Sequence, residues 1–171
     1  MTTVSAEGVS FGLPPGWDGR IFRRPTPTSP STASAASGTS APRAAAHHDA
    51  TAHSVTHAAN FPLPVDIGDF GSAAVELMGP DHVLVVLFEY HPHSTGTPLF
   101  ETEGLPTSLA PDSFSPSNLQ RSIPGQAGTQ VFFSTAGRAF SLYVVLGSFA
   151  NRRALVPAVN SVLRSVEIGP A

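Results

Sequence analysis

The sequence predicts a single α+β domain: an antiparallel β-sheet of about five to seven strands, flanked by helices. Three observations carry this. Short apolar runs with strand-like patterning end at proline and glycine turns. An apolar stripe at three- and four-residue spacing lies near the C-terminus. Between the first strands and the rest, residues 25 to about 58 hold one large aliphatic side chain, Val55. The chain has 171 residues, the length of one domain. The 24 residues before the poor stretch are too few to fold alone. The stretch therefore reads as an insertion into domain 1–171, not a linker between two domains.

Val9, Phe11 and Leu13 alternate with Ser10 and Gly12, the period of a half-buried strand. Pro14-Pro15-Gly16 stops it, because proline donates no ladder hydrogen bond. Gly19 to Arg23 fits a second short strand. From Pro25 to Thr56 the residues are nearly all Pro, Thr, Ser, Ala, Gly and His. Such a composition cannot offset an ordering cost of about 1–2 kcal/mol per residue, so a disordered, low-complexity insertion is expected.

Order is expected to return as an extended piece near Ala58 to Pro64. Ser72 to Met78 fits a short helix or a strand. Gly79-Pro80-Asp81 is a turn signal, and Val83 to Phe88 is continuous, β-branched and short, a strand covered on both faces. The turn suggests a hairpin with residues 73–78 as partner. Residues 91–127 form a long arm with apolar anchors at Phe100, Leu105, Leu109, Phe114 and Leu119. Within it Ser115-Pro116 starts one short helix, with a capping serine and proline at the first position.

Thr129 to Ser134 and Arg138 to Leu146 form a hairpin through Ala136-Gly137. Phe140, Leu142, Val144 and Leu146 share one face, and Tyr143 and Val145 imply cover on the other. Leu155, Val156, Val159, Leu163 and Val166 give the helical stripe. Pro157 suggests that the main helix starts there, after a separate turn. Val166 to Ile168 closes the sheet.

Gly8-Val9-Ser10-Phe11-Gly12-Leu13-Pro14-Pro15-Gly16-Trp17 resembles the opening of Mog1/PsbP-like domains. Val159 to Ile168 resembles their last helix and strand. The resemblance covers the two chain ends. It implies an antiparallel sheet flanked by helices, in a superfamily whose members act mostly as accessory or binding proteins. It carries no functional residue across, and the long insertion departs from the pattern.

Composition excludes several chemistries. With no cysteine and no lysine there is no thiol nucleophile, disulfide, thiolate metal site, Schiff-base lysine or P-loop lysine. Nine arginines against twelve acids give a formal charge of −3, with no basic stripe, so no nucleic-acid partner is expected. No basic, apolar leader is visible, and the longest strongly apolar run, Val83 to Phe88, is too short for a membrane span. The expected location is the cytoplasm.

Gly8-Val9-Ser10-Phe11-Gly12 matches the G-x-S-x-G string of a nucleophile elbow. The proline turn follows where the elbow needs a helix, so Ser10 reads as an ordinary strand serine. His47, His48, Asp49, His53 and His57 form a histidine-rich tract. Asp49, His53 and His57 would share one face of a helix, whereas a solvated low-complexity segment is the simpler reading. Trp17, Phe22 and Phe61 read as core or sheet-edge anchors, and Arg152-Arg153 as a solvated face.

The sharpest signal is Glu89, His91 and His93. In an extended chain they point to one side, and two histidines with a carboxylate is a known ligand set for iron and zinc. Two functions follow as expectations. The first is a non-catalytic cytoplasmic binding or accessory module with a protein partner, no cofactor, and a surface patch around residues 91–127. The second is a metal-binding protein or metal-dependent enzyme holding a divalent ion on Glu89, His91 and His93.

Overall fold

A computed structural model describes residues 1–24 and 53–170. It is α+β but sheet-dominated. Eight antiparallel strands form two sheets, and there are two α-helices, among the described residues. The small sheet has the order β1 (Thr2–Ala6), β2 (Val9–Leu13), β8 (Glu167–Ile168). The large sheet has the order β3 (Asp18–Arg23), β4 (Ser54–Ala59), β5 (Val83–Tyr90), β7 (Arg138–Leu146), β6 (Ala127–Thr135).

Period-two alternation sets the two faces of the large sheet. On one, Ala58, Val85, Leu87, Leu142 and Val144 pack under β2 and helix α2 (Arg152–Leu163). On the other, Val55, Leu84, Val86, Phe88, Tyr143 and Val145 lie under Phe61, Leu63, Ile67 and the one-turn helix α1 (Ser72–Val75). The expected cover over Tyr143 and Val145 is this strap, residues 61–75. The hairpins β1–β2 and β6–β7 turn through Glu7-Gly8 and Ala136-Gly137, all four with positive φ. That is the backbone a two-residue hairpin loop with right-handed strand twist demands.

Four expectations change. The five- to seven-stranded single sheet is two sheets, because β1, whose Thr2-Thr3-Val4 is β-branched, forms a strand with β2. Residues 54–58, assigned to the insertion, belong to β4. This strand is buried throughout, and small side chains suffice because β3 and β5 flank it on both edges. The partners of β5 are β4 and β7, whereas residues 72–75 are helical. Helix α2 starts at Arg152, with Pro157 inside it on the exposed side. The carbonyl that loses its intrahelical donor belongs to Arg153, itself an exposed residue.

The arm 91–127 contains four short 3-10 turns, one of them over Pro116–Asn118. It is pinned along the outer edge of β6. Ser115 exchanges two backbone hydrogen bonds with Gly128, and the segment 102–104 pairs with Ser134 at the far end.

Candidate functional site

Every sheet has two edges, and an uncovered edge presents unpaired backbone donors and acceptors. In this fold β6 is bonded to the arm near its two ends, at Gly128 and Ser134. β8 is two residues long, and its continuation Gly169 is hydrogen-bonded through N–H to Gly8 and through its carbonyl to Arg138. The outer edges of β1 and β3 pair with nothing among the described residues. The two strands lie next to each other, with Arg23 at the end of β3 in a salt bridge with Glu7 just beyond β1.

Between them runs an open groove of about 700 Å³. Val4 to Ala6 form one wall, Arg20 to Phe22 the second, and residues 65–69 of the strap the third. Asp18 and Arg20 hold the strap there. The Asp18 carboxylate accepts from the Leu63 N–H at 2.9 Å, and Arg20 donates to the carbonyls of Leu63 and Pro64 at 2.9 and 3.0 Å. Asp69 pairs with Arg24 at 3.0 Å. Asp66, exposed in the same wall, has no ion-pair partner among the described residues. Beside it Val65 is 96 % exposed.

Beneath the groove, the ring of Phe22 stacks on His57 with centroids 5.5 Å apart. His57 is fully buried, and neither ring nitrogen has a partner of good hydrogen-bond geometry. Burial, then the charge of Arg20 on the neighbouring strand, lowers its pKa to about 4, against a weaker opposing pull from the nearby backbone of Asp69 and Gly68. His57 is not part of a solvated segment as expected but is buried in β4, so it cannot share a helical face with His53, which directly precedes the strand; Asp49 lies outside the described residues.

The structure places Glu89, His91 and His93 in different settings. Glu89 ends an inward-facing row of β5. Arg138 grips its carboxylate through Nε and Nη2, both at 2.8 Å, and Ser54 donates to it through its hydroxyl at 2.6 Å and its N–H at 3.2 Å. Burial pushes the Glu89 carboxyl up, but the Arg138 and Ser54 hydrogen bonds outweigh it and hold it below its ordinary value. Arg138, 4 % exposed, also donates to the carbonyls of Glu7 and Gly169. The pair is thus a clamp between the two sheets.

His91 follows the end of β5 and His93 lies in the 3-10 turn Pro92–Ser94. Their rings stack at 4.6 Å, and His53 meets His91 edge-on at 5.7 Å. The His91 Nδ1 accepts from the His93 N–H at 3.2 Å. Burial lowers the pKa of His53, against the pull of the Glu89 charge. Among the described residues no three His, Asp or Glu side chains converge with ligand geometry.

Ser10 is the second residue of β2, flanked by Ser5 of β1 and Glu167 of β8, with no helix after it, as expected for a strand serine. Trp17 packs against the core and Phe22 against the strap side. Arg152 is less free than expected: its guanidinium covers the Phe149 ring at 4.3 Å and donates to the Phe149 carbonyl. No helix is long and apolar enough to cross a membrane, among the described residues.

The sequence did not single out Val65 and Asp66. Their local signal is an aliphatic and an acid between Pro64 and Ile67, with nothing to mark the aliphatic as exposed. No family model, curated protein or solved structure matches the chain.

Proposed function

We propose that the protein is a non-catalytic, cytoplasmic binding or accessory module, and that its partner protein docks in the groove between β1 and β3. One observation carries this reading: two sheet edges that are unpaired among the described residues border the same groove, with a nearly fully exposed valine on its rim. A lone exposed valine is ordinary, but beside open strand edges it extends a surface suited to another chain. The resemblance of the chain ends to Mog1/PsbP-like domains points the same way. The arm 91–127, the first place to look from the sequence, packs along β6 and is bonded to it at Gly128 and Ser134.

A photo-crosslinking amino acid at position 65 tests it in cells. A discrete protein adduct is expected from position 65, absent when the probe sits at Leu99 on the arm and weakened by Asp66→Lys. Equal labelling from both positions would count against the groove.

A second reading rests on the three imidazoles of His53, His91 and His93. The His91 and His93 rings stack nearly parallel at 4.6 Å and His53 meets His91 edge-on at 5.7 Å, so the three lie close together but would have to turn before their nitrogens could share one ion. A divalent metal on Glu89, His91 and His93 would require the carboxylate to leave Arg138 and Ser54. His91 would have to turn its Nδ1 away from the His93 N–H. At 100 times its Kd, Zn²⁺ or Ni²⁺ would add about 2.7 kcal/mol, roughly 5–10 °C in Tm, lost on His91→Ala. No shift would leave the binding module alone.

A further inference from the structure

We infer that the groove binds its partner as an extended strand that adds to the free edge of β3 and carries a basic side chain to Asp66. The inference rests on the groove reading above and names the form and chemistry of the ligand.

The first argument is hydrogen bonding. All five residues of β3 from Asp18 to Phe22 are half-buried, and the strand has a partner, β4, on one side alone among the described residues. Among the described residues its outer side makes no ladder hydrogen bonds, and β1 flanks it across the groove. An extended peptide satisfies such groups residue by residue, which a helix or a globular surface cannot do.

The second is side-chain pattern. Ile21 packs toward the face under α2, and Phe22 toward the face under the strap. An added strand alternates in the same way. One set of its side chains meets Ile21 and Val4, and the other meets Phe22 and Val65. Both sets should be apolar and of moderate size.

The third is charge. Of the three charged side chains lining the groove, Arg20 is paired with Asp18 at 3.7 Å and Asp69 with Arg24 at 3.0 Å. Asp66 is the remaining one, so the charge the site asks for is positive. An arginine or lysine in the incoming strand supplies it.

The probe is a display library of random heptapeptides selected against the full chain. Enriched sequences are expected to be apolar at successive positions, on both faces of the strand, and to contain a basic residue. A synthetic copy should lose at least tenfold in affinity on Asp66→Lys, an exposed position whose substitution spares the fold. Methylating its backbone nitrogens one at a time should abolish binding at every second position and spare those between. Hydrogen exchange should show new protection in residues 18–23. Enriched peptides that protect the groove without the two-residue alternation would overturn strand addition and leave the groove reading standing. No enrichment, or protection elsewhere on the molecule, would overturn both.

Discussion

At the scale of single residues, His57 decides how the molecule answers to acid. An imidazole with two unpartnered nitrogens can stay buried only while neutral. Unfolded, it takes up a proton at its ordinary 6.5; folded, at about 4. Between these values the unfolded chain binds more protons, so stability falls as pH falls from 6.5 towards 4. The loss amounts to about 3 kcal/mol. Glu89 adds a second step of the same sign, because a carboxyl held below its ordinary 4.5 gives up its contribution as pH drops through that region. His57→Leu should flatten the upper part of the profile and leave the step below 4.5. Denaturant titrations at pH 7, 5.5, 4.5 and 3.5 separate the two. An unchanged slope between pH 6.5 and 5 in the variant would refute the assignment.

At the scale of elements, Arg138 ties β7 to β5 through Glu89 and to the small sheet through the carbonyls of Glu7 and Gly169. Breaking a buried pair from one side strands the other charge, at a cost of about 3–5 kcal/mol. Glu89→Gln and Arg138→Met should each fall near that range. Arg138→Met should be the costlier, since it also frees two carbonyls. The double variant should cost clearly less than the sum, and additivity in a double-mutant cycle would show that the two side chains do not act together. The same residues show what the sequence could and could not disclose. The strand Arg138–Leu146 was legible because its apolar positions keep period two, and the face shared by Glu89, His91 and His93 was a fair inference for a chain that stays extended. The strand ends at Tyr90, however, and the carboxylate turns to an arginine 49 positions away. Spacing along the chain holds no record of such a partner. β4 was illegible for a related reason: Ser54-Val55-Thr56-His57-Ala58-Ala59 has the small, polar composition of the insertion before it, and only its neighbours β3 and β5 make it a buried strand. The groove, too, is a matter of which edges remain after all pairings are made.

At the scale of the whole molecule, the fold is continuous across the insertion. β3 and β4 pair from Asp18↔Ala59 to Arg23↔Ser54, and the Arg24 N–H donates to the His53 carbonyl at 2.9 Å. Residues 25–52 therefore close a hairpin whose ends already meet. The segment is 28 residues long and contains no large aliphatic or aromatic side chain. Closure entropy grows as (3/2)RT ln n for a flexible loop, so replacing it with about four Gly and Ser residues should stabilise the domain by roughly 1.7 kcal/mol. The unfolding midpoint should rise while the denaturant slope stays nearly constant, because the sheets expose the same surface. Groove-dependent crosslinking from position 65 should persist, since the walls of the groove come from β1, β3 and the strap. A large fall in stability would instead show that residues 25–52 pack on the domain. They would then belong to the fold, and the free edges of β1 and β3 would be the first place to look for their contact.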